Sequence, residues 1–190
     1  MSIQFLGVSK RFGDHILFEN LNLTLLQGQR YCLMGASGSG KTTLIQMLMG
    51  FVKPDIGEIK GTSGIKMAVV FQEDRLIEHW DAVKNIRLVC DRSISLKTIQ
   101  EDLKKVGLEE ELGKPVQHYS GGMRRRVAIV RALIVKSDLL ILDEPFKGLD
   151  EALKLQVMDY IIQKSKGKTV LLVTHDKDEA VRLGAELITL

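Results

Sequence analysis

The sequence predicts a mixed α/β fold: a parallel-sheet core, an N-terminal antiparallel β portion, and an α-helical subdomain inserted between the core strands. Three patterns lead there. Short apolar runs at 31–34, 139–142 and 169–173 alternate with helical stretches, and strands apolar on both faces belong to a covered parallel sheet. Segments 3–8 and 21–25 instead alternate apolar with polar, as strands with one solvated face do. From about Asp81 to Ala132 the strand signals stop and the periodicity turns helical.

Taken in order, Gly13-Asp14 and Gln27-Gly28-Gln29 supply turns around the first strands. The buried run 31–34 leads into a glycine-rich segment, and 42–50 reads as the helix behind it, stopped at Gly50. Residues 53–57 form a turn, and 58–60 and 66–71 are further strands. In the helical stretch, 96–106 and 123–135 carry the clearest helical pattern. Residues 151–164 form the helix between the last two buried strands, 176–183 form a final helix, and a strand begins at Glu186.

The 190 residues make one domain, 1–190, with its helical subdomain at approximately 81–132. Apolar residues at 45% suffice for a core, and a net charge of +3 is too small to suggest a nucleic-acid partner. Cys32 and Cys90 lie too far apart for a metal spacing and make no disulfide framework, so a reducing cytosol is the expected compartment. No stretch approaches the ~20 apolar residues of a membrane helix, and the start of the chain lacks the pattern of a secretory signal. A membrane role would therefore require docking on a separate membrane subunit.

Gly35-Ala36-Ser37-Gly38-Ser39-Gly40-Lys41-Thr42 fits the phosphate-loop pattern G-x-x-x-x-G-K-[ST]. Glycines let successive backbone N–H groups converge on one anion, and the helix N-terminus behind them adds a favourable dipole. Lys41 is placed to reach the β- and γ-phosphates and the Thr42 hydroxyl to ligate Mg²⁺. A glycine-rich surface turn would leave the Lys-Thr pair between strand and helix unexplained. At 143–144 two carboxylates end a buried run. Asp143 suits Mg²⁺, directly or through water, and Glu144 suits the general base that activates an attacking water.

Ser120-Gly121-Gly122-Met123-Arg124-Arg125-Arg126 begins a helix for which Ser120 is a good N-cap. Two glycines and three arginines are unfavourable in a first helical turn. Accepting both points to a helix end presented to an anion; the competing reading is an ordinary capped helix with a charged solvated face. The arginines point in three directions and lack interleaved aromatics, so they do not make a nucleic-acid stripe.

The ordered set of motifs resembles the ATP-binding-cassette (ABC) ATPases, specifically the soluble motor subunit of ABC transporters. It comprises the phosphate loop, Gln72 after an apolar run, Ser120-Gly121-Gly122, 139–145 and His175. The chain departs from the family's Leu-Ser-Gly-Gly-Gln signature at Tyr119 and Met123. The resemblance implies a P-loop NTPase core in which 35–43, ending at Thr43, holds ATP. It makes Glu144 the catalytic carboxylate and gives Gln72 a role in sensing Mg²⁺ and the lytic water. His175 would contact the γ-phosphate, Asp150 would lie in the D-loop, and Phe12 would sit under adenine, against a core position as the alternative. Ser120, Gly121 and Gly122 would contact the γ-phosphate held by a second copy, so two chains would sandwich two ATP. Family members commonly continue past the strand at Glu186, so no C-terminal regulatory domain is expected within this chain. The segment 71–80, with Trp80, is similar to importers of the nitrate, sulfonate and taurine type.

The expected function is therefore an ATPase with ATP and Mg²⁺ as cofactors, working as a homodimer with an integral membrane permease. An importer would also use a solute-binding protein, and the chain would be cytoplasmic, peripheral at the inner face of the membrane. The alternatives are a soluble non-transport ABC ATPase acting on a macromolecular or cofactor-assembly partner, and a nucleotide-responsive binding module. A small-molecule kinase would leave Ser120-Gly121-Gly122 unexplained.

Overall fold

The computed structural model describes residues 2–190. In chain order it holds β1 (Ser2–Phe12), β2 (His15–Leu26), β3 (Arg30–Met34), α1 (Lys41–Leu48), β4 (Ile56–Lys60) and β5 (Met67–Val70). These are followed by α2 (Ala82–Arg87), α3 (Leu96–Lys104), α4 (Gly121–Leu133), β6 (Leu139–Asp143) and α5 (Glu151–Lys164). The chain finishes with β7 (Thr169–Val173), α6 (Lys177–Leu183) and β8 (Glu186–Thr189). One sheet has the order β2-β1-β4 and is antiparallel; the other has the order β5-β6-β7-β3-β8.

β1 and β2 form a hairpin closed at Gly13 and run longer than the sequence pattern suggested. Register shifts between Phe5 and Arg11 account for the difference. Ile3 and Phe5 are buried at the strand period of two, but a bulge at Gly7, with φ 58, makes Val8 the next buried residue. That irregularity hides the far half of the strand from a period-two reading.

Backbone contacts divide the chain into two compact units. The first holds the chain up to Met67, Ser137–Ile141 and Gly167–Leu190. In it β3 pairs in parallel with both β7 and β8, in registers such as Leu33↔Val173 and Leu33↔Ile188. Tyr31, Cys32, Leu33 and the whole of β7 are buried, as the continuous apolar runs required. The second unit holds Ala68–Lys136 and Leu142–Lys166. Its helices α3, α4 and α5 bury Ile99, Leu103, Val127, Ile129, Val157 and Ile161. Asp102, itself 1% exposed on α3, is held by Lys164 of α5 at 2.6 Å and by Lys105 at 3.2 Å.

Helices α2 to α6 each begin with a side-chain cap, supplied by Asp81, Ser95, Ser120, Asp150 and Asp176. The two glycines after Ser120 lie inside α4, which starts earlier than the pattern at 123 suggested. Only α1 departs: its N-cap is Gly40, with φ 97 and no side-chain bond.

The turn after β4 separates two glycines with similar backbones and different surroundings. Gly61 has φ +80 and a Cβ there would lie 2.0 Å from the Ser2 carbonyl oxygen, whereas Gly64 has φ +75 and nothing within 4 Å. Gly64→Ala is expected to cost about 1–2 kcal/mol from the left-handed backbone alone. Gly61→Ala is expected to cost clearly more, about 3 kcal/mol or above, because backbone must shift. Urea midpoints of the two variants check the difference; equal losses would refute the role of the Ser2 contact.

Candidate nucleotide-binding site

The first unit carries the phosphate loop between β3 and α1. Lys41 Nζ folds back to donate to the carbonyls of Gly35 at 2.7 Å and Ala36 at 2.9 Å, and Ser39 N donates to Ala36 at 3.1 Å. The loop is thus closed around its own lysine. A Cβ at Gly35 would lie 2.5 Å from Ser39 Oγ, and one at Gly40 would lie 2.5 Å from the Phe18 ring, so both positions require glycine. Ser39 Oγ is buried without a hydrogen-bond partner, and α1 offers uncapped N–H groups. An unsatisfied hydroxyl beside an uncapped helix start fits a phosphate oxygen. Ala36, Ser37 and Gly38 are exposed at the loop tip, Thr42 is exposed at the head of α1, and Thr43 is half-buried.

Phe12 ends β1 at 52% exposure, with Lys10 Nζ 5.2 Å from its ring centre. It is not a core residue: about half of it is exposed, with the Lys10 ammonium over its ring. The parallel register Leu33↔Val173 brings the start of the phosphate loop and the end of β7 to one edge of the sheet. His175 follows there, exposed, between two anchored neighbours. Thr174 donates to Glu179 Oε2 at 2.5 Å, and its oxygen accepts from Asp176 N at 3.1 Å. Beneath them Cys32 is fully buried; burial, with the Glu179 charge second, pushes its thiol from 9.0 up to about 11.

The second unit carries Gln72, Ser120–Gly122, Asp143, Glu144 and Asp150. Gln72, Ser120, Gly121, Gly122, Lys147 and Gly148 line one concave surface. The two signature glycines are there for different reasons. A Cβ on Gly122 would come 2.8 Å from the Gly148 carbonyl oxygen, while one on Gly121 would meet nothing within 4 Å. Gly122 allows α4 to pack on the loop before α5; Gly121 leaves the helix end open to a ligand. Ser120 Oγ accepts from Met123 N at 3.2 Å, which leaves its hydroxyl proton to donate outward. Asp150 caps α5 through Leu153 N at 3.0 Å.

Asp143 ends β6, and Glu144 follows with φ 46, a left-handed backbone uncommon outside glycine. Such strain gathers at functional positions. Glu144 Oε2 lies 3.9 Å from Lys147 Nζ. At the first departure from the signature, Tyr119 is buried and its hydroxyl donates to Glu111 O at 2.5 Å, which ties the signature turn to the segment before it.

The arginine run rules out the competing reading of a charged solvated helix face. Arg125 and Arg126 are 5% and 6% exposed. Arg126 donates to the carbonyls of Val106 at 2.6 Å and Gly107 at 2.8 Å, and Arg124 donates to Tyr119 at 2.9 Å. A signal was present in the sequence: Arg125 and Arg126 stand four residues before Ile129 and Val130, on the face of α4 that the apolar pattern buries.

A glycine cradle closed by lysine, set between a parallel strand and an uncapped helix, defines a phosphate-loop nucleotide-binding protein of the α/β class. Residues 18–147 match the family described as ABC transporter, and the chain belongs to that family. It is 38% identical over 197 residues to the spermidine/putrescine import ATP-binding protein PotA of Pseudomonas aeruginosa, covering 95% of this chain and 54% of that protein. The chain thus spans about half the length of that relative. It is equally 38% identical, over 190 residues, to the aliphatic sulfonates import ATP-binding protein SsuB 2 of Pseudomonas syringae, covering 99% of this chain and 69% of the relative. Among solved structures it resembles the dimeric bacterial ABC transporter cassette MJ0796 with a TM-score of 0.85 and 30% identity, over 99% of this chain and 94% of that one. A post-hydrolysis dimer of the same cassette, bound to ADP and Pi, gives 0.82 at 30% identity, with the same coverage of both chains.

The two cysteines should differ in solution. At pH 8 iodoacetamide is expected to alkylate half-buried Cys90 and to spare Cys32 until the chain unfolds. A folded-state thiol raised from 9.0 to about 11 keeps its proton where the unfolded chain has lost it. The Cys32 contribution is therefore intact below pH 9.0 and falls as the pH climbs to about 11. Urea midpoints should drop more steeply over that range in the parent than in Cys32→Ala.

Proposed function

We propose that the chain is the ATP-binding and ATP-hydrolysing motor subunit of a transporter, acting as a pair of identical chains around two ATP. The observation that carries this reading is the loop 35–40 closed on Lys41 before an uncapped α1, with the unpartnered Ser39 hydroxyl inside it. Backbone N–H groups and Lys41 neutralise phosphate charge, and the exposed Phe12 face takes the adenine. The Thr42 hydroxyl and Asp143 carboxylate are hard oxygen ligands of the type Mg²⁺ takes, and Gln72 takes the role of sensor. Glu144 draws a proton from the attacking water, and His175 touches the γ-phosphate. The open Gly121 end of α4, with Ser120 and Gly122, serves the γ-phosphate held by the partner chain, and Asp150 belongs to the same dimer contact.

The dimeric cassettes of similar fold, one of them with ADP and Pi, support both pairing and hydrolysis. The names of the relatives, ATP-binding proteins of import systems, support a membrane permease as the second partner. An importer of this kind takes its solute from a solute-binding protein. No helix among the described residues is long and apolar enough to cross a membrane. On this reading the chain works in the cytoplasm, against the inner membrane face, through its permease.

Glu144→Gln is expected to lower turnover by about a thousandfold while ATP binding survives, and to accumulate an ATP-dependent dimer on a sizing column. Lys41→Ala should lose ATP binding itself. Wild-type turnover in Glu144→Gln would remove Glu144 from the reaction. Co-purification from gently solubilised membranes tests the transport partner: a polytopic membrane protein supports the reading, and soluble partners alone would replace it with a non-transport ABC ATPase.

A further inference from the structure

The segment 71–75 leaves β5 without entering another helix or strand, so its carbonyls have no ladder to satisfy them. Two arginines of α4 take that place. Arg125 Nη1 donates to the Phe71 carbonyl at 2.5 Å, and its Nη2 donates to the Gln72 carbonyl. The same guanidinium lies 3.3 Å from Asp74 Oδ1, with a side chain only 6% exposed. Farther along the helix, Arg131 donates to the Asp74 and Arg75 carbonyls, both at 2.7 Å. The segment is stiffened from within as well. Arg75 has φ 48, and its guanidinium stands 3.8 Å from the Phe71 ring centre. Burial raises the Asp74 carboxyl above its ordinary value, and the charges of Arg125, Arg124 and Arg131 oppose that rise.

Arg125 stands one helical turn behind Gly121, at the end of α4 open to a ligand. It therefore joins two pieces of backbone that the proposed function uses separately, the Gln72 segment and the signature turn. We infer that Arg125 is a positioning residue that makes the Gln72 segment and the first turn of α4 move as one body, so that a response at Gln72 in one chain shifts the groups facing the partner's nucleotide. This rests on the proposed function. A planar guanidinium holds two carbonyls in one fork with a carboxylate beside it as an ion pair; a lysine ammonium keeps the charge but is a point donor on a flexible stem.

The test uses the full chain with Arg125→Lys, reading ATP affinity, turnover, the Hill coefficient and amide exchange. Arg125→Lys is expected to bind ATP with unchanged affinity, to lose about tenfold or more in kcat, and to show a Hill coefficient falling toward that of independent sites. A purely structural role would lower thermal stability while leaving kcat per folded molecule and cooperativity as they were. Hydrogen exchange on Glu144→Gln, with and without ATP, needs no change at Arg125. The amides of 72–75 and 121–124 should open as one unit with a common free energy and be protected together by ATP. Wild-type kcat and cooperativity in Arg125→Lys, or independent exchange of the two segments, overturns the inference. Failure of the unsubstituted chain to bind or hydrolyse ATP would instead overturn the proposed function.

Discussion

Irregular backbone beside a ligand site leaves carbonyl oxygens that no helix or sheet can satisfy, and this chain meets that constraint with cations. Lys41 closes the phosphate loop by holding the Gly35 and Ala36 carbonyls. In α4, Arg125 and Arg131 hold the segment after β5, and Arg126 holds the turn after α3. Arg87 closes the loop before α3 through the carbonyls of Asp91, Arg92 and Ile94. Arg30 does the same for the end of α6 through Leu183. A bond from a charged donor to a carbonyl is stronger than a neutral one, and a guanidinium serves several at once. Loops held this way can keep a defined shape while their N–H groups and side chains stay available to a ligand.

The helix starts express the complementary half of the same logic. Orphan N–H groups at the heads of α2 to α6 are partly met by Asp or Ser side chains, as their exposed or packed settings require. At α1 that side chain is missing and Gly40 stands in its place, so the dipole and donors remain for an anion. In α4 the cap is present, but Gly121 leaves the approach unobstructed. A monomer thus carries one open helix end of each kind. That division suits the pairing proposed above, in which each chain supplies the loop for one ATP and the α4 end for the other.

Much of the fold was legible because it depends on local pattern. Both buried runs flanking α5, the helices α3 and α5, and the stop at Gly50 follow from periodicity and end signals acting within a few residues. β1 and β2 were legible only in part, since the bulge at Gly7 breaks the alternation on which strand recognition relies. The burial of the α4 arginines was not legible for a related reason. Their charge argues for solvent, and only the carbonyls brought to them from distant segments make burial affordable.

Local residue pattern is enough to say which chemistry the chain can host: the glycine spacing with Lys41 and Thr42, the paired carboxylates Asp143 and Glu144, and Ser120-Gly121-Gly122 at a helix start. Those features are local, and the residue types needed for phosphate and metal contacts are few. The tertiary structure alone decided that Phe12 stays out of the core, that Gly122 is required by a neighbouring backbone while Gly121 is left open, and that Glu144 adopts a left-handed backbone. It alone decided, too, that Arg125 ties Gln72 to the signature helix. Each of these depends on what long-range packing brings alongside, which no local pattern of residues encodes.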